Sequence, residues 1–157
     1  MHRVAFFWTF RILLGLLVFA AGLGKLLDIP GYVAILRTYR LDFVPAALYL
    51  PGAVAVVVFE LGLGCWILSA WRLATAALLS VAMHAGYLVL LTASLLRGLK
   101  LENCGCFGVF LARPLTWYSP LEDAALMAVS YSLFQHARAL AARQPNPPMR
   151  PTECAGG

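Results

Sequence analysis

Four apolar runs, each close to the length that crosses a bilayer, leave this chain little choice of fold. They cover residues 4–27, 46–70, 73–96 and 121–142, against the roughly 20 residues that a spanning helix needs. In hydrocarbon every backbone N–H and C=O must be satisfied within the segment, so such runs become helices. The composition agrees: 62% of the 157 residues are hydrophobic and 12% are charged, whereas a soluble domain carries about a quarter charged residues. The expected fold is an all-α membrane protein, a four-helix transmembrane bundle. One domain is expected over 1–142. A disordered tail is expected over 143–157, where four prolines and a terminal Gly pair interrupt any apolar periodicity.

The first run begins with Met1-His2-Arg3, but it exceeds the ~7–15 apolar residues of a signal-peptide core. It is therefore expected to stay as a spanning helix. Pro45 and Pro51 fall near the start of the second run, where proline is tolerated. Ser119-Pro120, followed by Glu122 and Asp123, marks the start of the fourth.

The connections differ in character. Residues 28–44 are too polar to span, yet Tyr32, Val33, Leu36, Tyr39 and Phe43 recur at helical spacing, with Arg37 and Arg40 off that stripe. This predicts a short amphipathic helix lying in the interface after the first span. The link at Trp71-Arg72 is tiny, so the second and third spans form a tight hairpin. The loop 97–120 is the longest, and it ends on the interfacial anchors Trp117 and Tyr118.

Four spans put both termini on one side, with the amphipathic segment and the long loop on the other. Arg3, Arg72, Arg138, Arg143 and Arg150 stand on the terminal side; Lys25, Arg37, Arg40, Arg97, Lys100 and Arg113 stand opposite. The positive-inside rule does not separate five from six. The formal charge of +5 sits mostly at run ends, which suits anionic headgroups. No basic run with interleaved aromatics points to nucleic acid.

Chemistry concentrates in one island of the long loop, Leu101-Glu102-Asn103-Cys104-Gly105-Cys106-Phe107-Gly108. A disulfide between such near neighbours closes a small strained ring, which makes it labile and oxidising rather than a structural staple. Redox exchange through Cys104 and Cys106 is the leading reading, with soft-metal binding and a structural role as alternatives. No histidine stands beside the pair to complete a zinc site, and no metal is assigned. Gly105 lets the loop bend and its exposure is expected to admit a soluble partner. Cys65, near the far end of the second span, is expected to be a small buried apolar residue, and Cys154 an incidental thiol of the tail.

Arg11, Glu60 and His84 interrupt apolar runs, and charge in lipid demands a partner. Arg11 lies about 10 Å in from the terminal side and Glu60 about 12–15 Å from the same side, so these two are expected to pair. His84 is expected to hydrogen-bond a neighbour, with proton handling as the alternative. Lys25 falls level with Glu122 and Asp123, near the cysteine loop. It would either favour a thiolate or snorkel to the interface.

Taken together, Ala21-Gly22-Leu23-Gly24-Lys25-Leu26-Leu27-Asp28, Glu60-Leu61-Gly62-Leu63-Gly64 and Asn103-Cys104-Gly105-Cys106-Phe107-Gly108 resemble the methylamine-utilisation MauE family of DoxX-like four-helix membrane proteins. The resemblance covers roughly 4–142. It implies a multi-pass bacterial inner-membrane protein, associated with redox work and with maturation, processing or transport of the disulfide-rich small subunit of methylamine dehydrogenase. The client would be a thioredoxin-like or disulfide-containing protein outside the cytoplasm, met by an extracytoplasmic cysteine loop. By this resemblance Cys104 and Cys106 form the redox pair, supported by Gly105, Phe107, Gly108, Lys25 and Asp28. The fold class is similar, more distantly, to vitamin K epoxide reductase and quinone-linked disulfide-forming proteins. Those carry C-x-x-C, absent here, so a quinone is a cofactor left open. A copper or mercury permease and a non-catalytic subunit of a quinol-linked complex are the rival readings.

Overall fold

The structure, a computed structural model, describes the backbone of residues 2–142 and the side chains from Phe7 onward. The chain forms α1 His2–Leu26, α2 Ile29–Thr38, a 3-10 turn at Ala46–Leu48, α3 Tyr49–Ser69, α4 Leu73–Leu96 and α5 Tyr118–Ala142. The stretches Phe7–Leu26, Ala46–Ser69 and Leu73–Leu96 are long and apolar enough to cross a membrane. At 25 residues, α5 extends about 37 Å, but Glu122, Asp123, His136 and Arg138 dilute its apolar character. The outer faces of the bundle carry Leu13, Leu16, Val58 and Val89 in the open, as a lipid-facing surface requires. The tail expected to be disordered lies outside the described residues.

The four long helices close into a ring. α1 packs on α3 and α4 on α5, and the pairs meet along α1–α5 and α3–α4. Small residues allow the α1–α3 approach: a Cβ on Gly22 would lie 3.0 Å from the Glu60 Cβ and the Leu61 nitrogen, and one on Gly64 would lie 2.8 Å from Phe19. Lipid tails are as apolar as leucine, so van der Waals contact along such small-residue seams holds membrane helices together. Between α4 and α5, Ser80 Oγ and Ser130 Oγ lie 2.9 Å apart, and Ala76 and Ala77 are fully buried. Leu14, Val18, Leu63, Ile67 and Leu133 fill the core at this end.

The amphipathic helix forms as α2, capped by Asp28, whose Oδ1 accepts the Gly31 N–H at 2.8 Å. Such a cap supports a short helix by about 1 kcal/mol. Tyr32, Ile35 and Tyr39 make its buried face. Phe43 lies beyond its end and is 82% exposed, so the stripe stops at Tyr39. Arg97 fixes the chain after α2, donating to the Tyr39 carbonyl at 3.1 Å and to the Arg40 carbonyl at 2.8 Å. Thus α2 lies over the loop that follows α4.

Candidate functional site

The cysteine loop folds back on itself before it meets α1. The Cys104 N–H donates to the Arg113 carbonyl at 2.8 Å, and the Leu115 N–H to the Leu101 carbonyl at 2.9 Å. Inside that clasp the Asn103 amide brackets the turn. Its Oδ1 accepts the Gly105 N–H at 2.8 Å, and its Nδ2 donates to the Gly108 carbonyl at 3.0 Å. Gly105 and Gly108 sit at φ of 73° and 67°, where other residues are strained. A Cβ on Gly108 would stand 2.5 Å from the Gly24 carbonyl oxygen, and one on Gly24 2.5 Å from the Phe107 carbonyl oxygen. The loop therefore docks backbone to backbone on the last turn of α1.

Lys25 completes this dock. Its Nζ lies 2.7 Å from both carboxylate oxygens of Glu60 and 2.8 Å from the Cys106 carbonyl oxygen. The Tyr87 hydroxyl also donates to Glu60 Oε1. Lys25 is 2% and Glu60 1% exposed, so the pair is sealed within the bundle. The rings of Tyr32 and Tyr87 lie 5.7 Å and 5.6 Å from the ammonium, within cation–π range. One lysine thus ties α1, α3 and the cysteine loop together.

The two sulfurs lie 3.1 Å apart, with the Cys106 and Cys104 groups sharing a hydrogen bond. A thiolate that receives such a bond is stabilised and its partner holds the proton more tightly. Cys104 is accordingly lowered to about 6, first by the Cys106 side chain, against its own burial, with backbone donors and the Arg113 charge assisting. Cys106 is raised, first by its bond to Cys104 and then by burial. Tyr39 holds this segment from α2, donating from its hydroxyl to the Cys104 carbonyl at 2.6 Å. Burial, first, and then the nearby cysteines push the Tyr39 phenol up, so it stays a donor.

The expected Arg11–Glu60 pair does not form: the partner of Glu60 is Lys25. The seam explains why. Gly22 meets Glu60, and Arg11 lies eleven residues earlier, about 16 Å down the helix. Arg11 is instead 7% exposed, its guanidinium 4.2 Å from the Trp8 ring centroid, and its Nε has no hydrogen-bond partner among the described residues. Lys25 does not snorkel to the interface; it pairs with Glu60, and its charge is the last and smallest of the influences on Cys106, in the direction that favours the thiolate. The pair is also less open than a solvent loop would make it: Cys104 is 6% exposed, and Gly105 is buried with its Cα side toward Ile35 and Tyr32. Cys65 is exposed on the outer face of α3 rather than buried, and Cys154 lies outside the described residues.

Among the other expected site residues, His84 is buried and its Nδ1 stands 2.8 Å from the Ser80 carbonyl oxygen. Phe107 and His84 line the same cavity as the cysteines, Lys25 and Glu60. Asp28 is not among them and caps α2. Asn103, Tyr39 and Tyr87 also belong to the site. Tyr39 was legible on the α2 stripe, and Tyr87, three residues after His84, was a polar ring in an apolar run.

The family model described as methylamine utilisation protein MauE matches residues 3–136. The methylamine utilization protein MauE of Paracoccus denitrificans is 27% identical over 126 residues, covering 80% of this chain and 67% of that protein. No solved structure matches. With the family model covering most of its length, this chain belongs to the MauE family of membrane proteins.

Proposed function

We propose that this protein is a thiol–disulfide exchange protein of the bacterial inner membrane, which forms disulfides in an extracytoplasmic client during methylamine utilisation. The client of choice is the small subunit of methylamine dehydrogenase, or a thioredoxin-like carrier that serves it. The observation that carries this reading is the Cys104–Cys106 pair, two sulfurs 3.1 Å apart that share a hydrogen bond. Persistent disulfide chemistry belongs outside the cytosol, so the cysteine loop faces the periplasm and both termini the cytoplasm.

The unequal thiols set the order of events. When the pair is oxidised, a client thiolate attacks the Cys106 sulfur. The S–S bond breaks and Cys104 leaves, because the thiol of lower pKa is the better leaving group. Cys106 is also the less buried of the two. A second client thiolate then attacks the mixed disulfide. The client gains a disulfide, and Cys104 and Cys106 are left reduced.

The test is capture in cells. In Cys104→Ser the remaining Cys106 should hold the client as a mixed disulfide that disappears on reduction, and Cys106→Ser should hold less. Full client maturation by a double-serine variant would replace this reading with that of a non-catalytic subunit.

A further inference from the structure

Cys104 is covered from outside, Cys106 keeps partial exposure, and both thiols also open inward. Above them lies α2, with Ile35 and Tyr32 against Gly105 and the Tyr39 hydroxyl on the Cys104 carbonyl. On the inner side both cysteines line a cavity of about 460 Å³ between the helices, within the roughly 300–1,000 Å³ of small-molecule sites. Its walls are mostly apolar, among them Leu17, Val18, Met83, Leu90, Leu91 and Leu126.

One polar group in this cavity lacks a partner. Asp123 is 7% exposed and lines it, yet its carboxyl makes no hydrogen bond or ion pair among the described residues. Its carboxyl faces the space of the cavity rather than a protein partner, so a ligand held there can exchange a hydrogen bond with it. His84 stands in the same wall. Its Nδ1 must carry a proton to face the Ser80 carbonyl at 2.8 Å, which leaves Nε2 uncommitted.

The occupant must be apolar, must carry oxygen atoms for Asp123, and must take two electrons from the adjacent dithiol. A lipid acyl chain meets only the first condition. A soluble peptide fails it. We infer that this cavity is a binding site for a lipid-soluble quinone, which reoxidises the Cys104–Cys106 pair while Asp123 hydrogen-bonds one of its oxygens. In this step the Cys106 S–H bond breaks and an S–S bond forms with the Cys104 thiolate, while the second proton comes from the protonated Asp123 carboxyl, which is refilled from water. Two electrons and two protons pass to the carbonyl oxygens of the quinone, which leaves as the hydroquinone. A protonated Asp123 donates to the quinone carbonyl, and an ionised one accepts from the hydroquinone hydroxyl. The inference rests on the thiol-exchange reading and adds the electron acceptor to it.

The test uses the full chain in phosphatidylcholine nanodiscs with decylubiquinone, a fully substituted quinone that thiols cannot alkylate. Calorimetry should show binding to the reduced protein. Ala21→Phe and Ala125→Phe, which project into the cavity, should each weaken binding at least about tenfold while the melting transition is retained. Asp123→Leu should weaken it too. With the unaltered protein, alkylation and mass measurement should show loss of both free thiols, with one hydroquinone formed per protein. No binding, equal binding by both phenylalanine variants, or binding without thiol oxidation would each overturn the assignment. If the quinone is ignored while Cys104→Ser still captures its client, this inference falls and the exchange reading stands; if capture fails as well, both fall.

Discussion

Replacing Lys25 by methionine should be among the most damaging single changes in this protein. The ammonium lies 2.7 Å from both oxygens of Glu60 and 2.8 Å from the Cys106 carbonyl, with both side chains at 2% exposure or less. Removing one member of a buried pair leaves the other charge uncompensated, at a cost of about 3–5 kcal/mol. The lost bond to the Cys106 carbonyl, about 1.5–3 kcal/mol on its own, does not simply add, since one group serves both contacts. Tyr87 still donates to Glu60 and limits the loss. We expect Lys25→Met to cost about 3–5 kcal/mol and Lys25→Met/Glu60→Gln to recover much of it, because neither charge is then stranded. Equilibrium unfolding in mixed micelles reads both. A Lys25→Met loss below about 1 kcal/mol, the scale of an exposed pair, or a double variant as poor as the sum of the singles, would refute the pairing.

Other changes separate the remaining contacts. Gly108→Ala should cost about 1–3 kcal/mol from its φ alone and speed alkylation of Cys104 by lifting the loop from Gly24, whereas Gly52→Ala, with no atom within 4 Å of the added Cβ, should be neutral or stabilising. Cys106→Ala removes the bond that lowers Cys104 to about 6. The alkylation midpoint should therefore rise toward the ordinary thiol value, and the thiolate fraction at pH 7 should fall roughly thirtyfold. Because the folded value is depressed, the thiolate persists above about pH 6 and is lost as pH falls through it. Arg11→Met should cost far less than Lys25→Met, about 0.5–2 kcal/mol for the contact with Trp8, as measured by the same unfolding assay.

The membrane helices were legible because hydropathy is a local property. Residues 73–96 match α4 at both ends, and the Tyr32–Tyr39 stripe marks the buried face of α2. The register between helices was not legible in that way. Depth counted from the ends of apolar runs placed Arg11 beside Glu60, but the ends of α1 and α3 do not set their level. The close approach at Gly22 and Gly64 does, and these small residues were the available signal. The C-G-C segment stood out in sequence as a redox pair. Its inward position did not, because Asn103, Arg113 and Tyr39 create it through bonds to backbone atoms. Such bonds leave no spacing pattern. The weaker apolar character of α5 has two sources: Asp123 and Ser130 are buried within the bundle, and Glu122, His136 and Arg138 stand on the exposed surface near its ends.

The most direct measurement is the redox state and sidedness of Cys104 and Cys106 in native membranes, by differential thiol labelling of spheroplasts and inverted vesicles. The account predicts a pair that cycles between dithiol and disulfide and that an impermeant reagent reaches, after reduction, from the periplasmic side, with Cys154 labelled only from the cytoplasmic side. A pair that stays reduced under every oxidising condition, or that is labelled only from the cytoplasm, would contradict it.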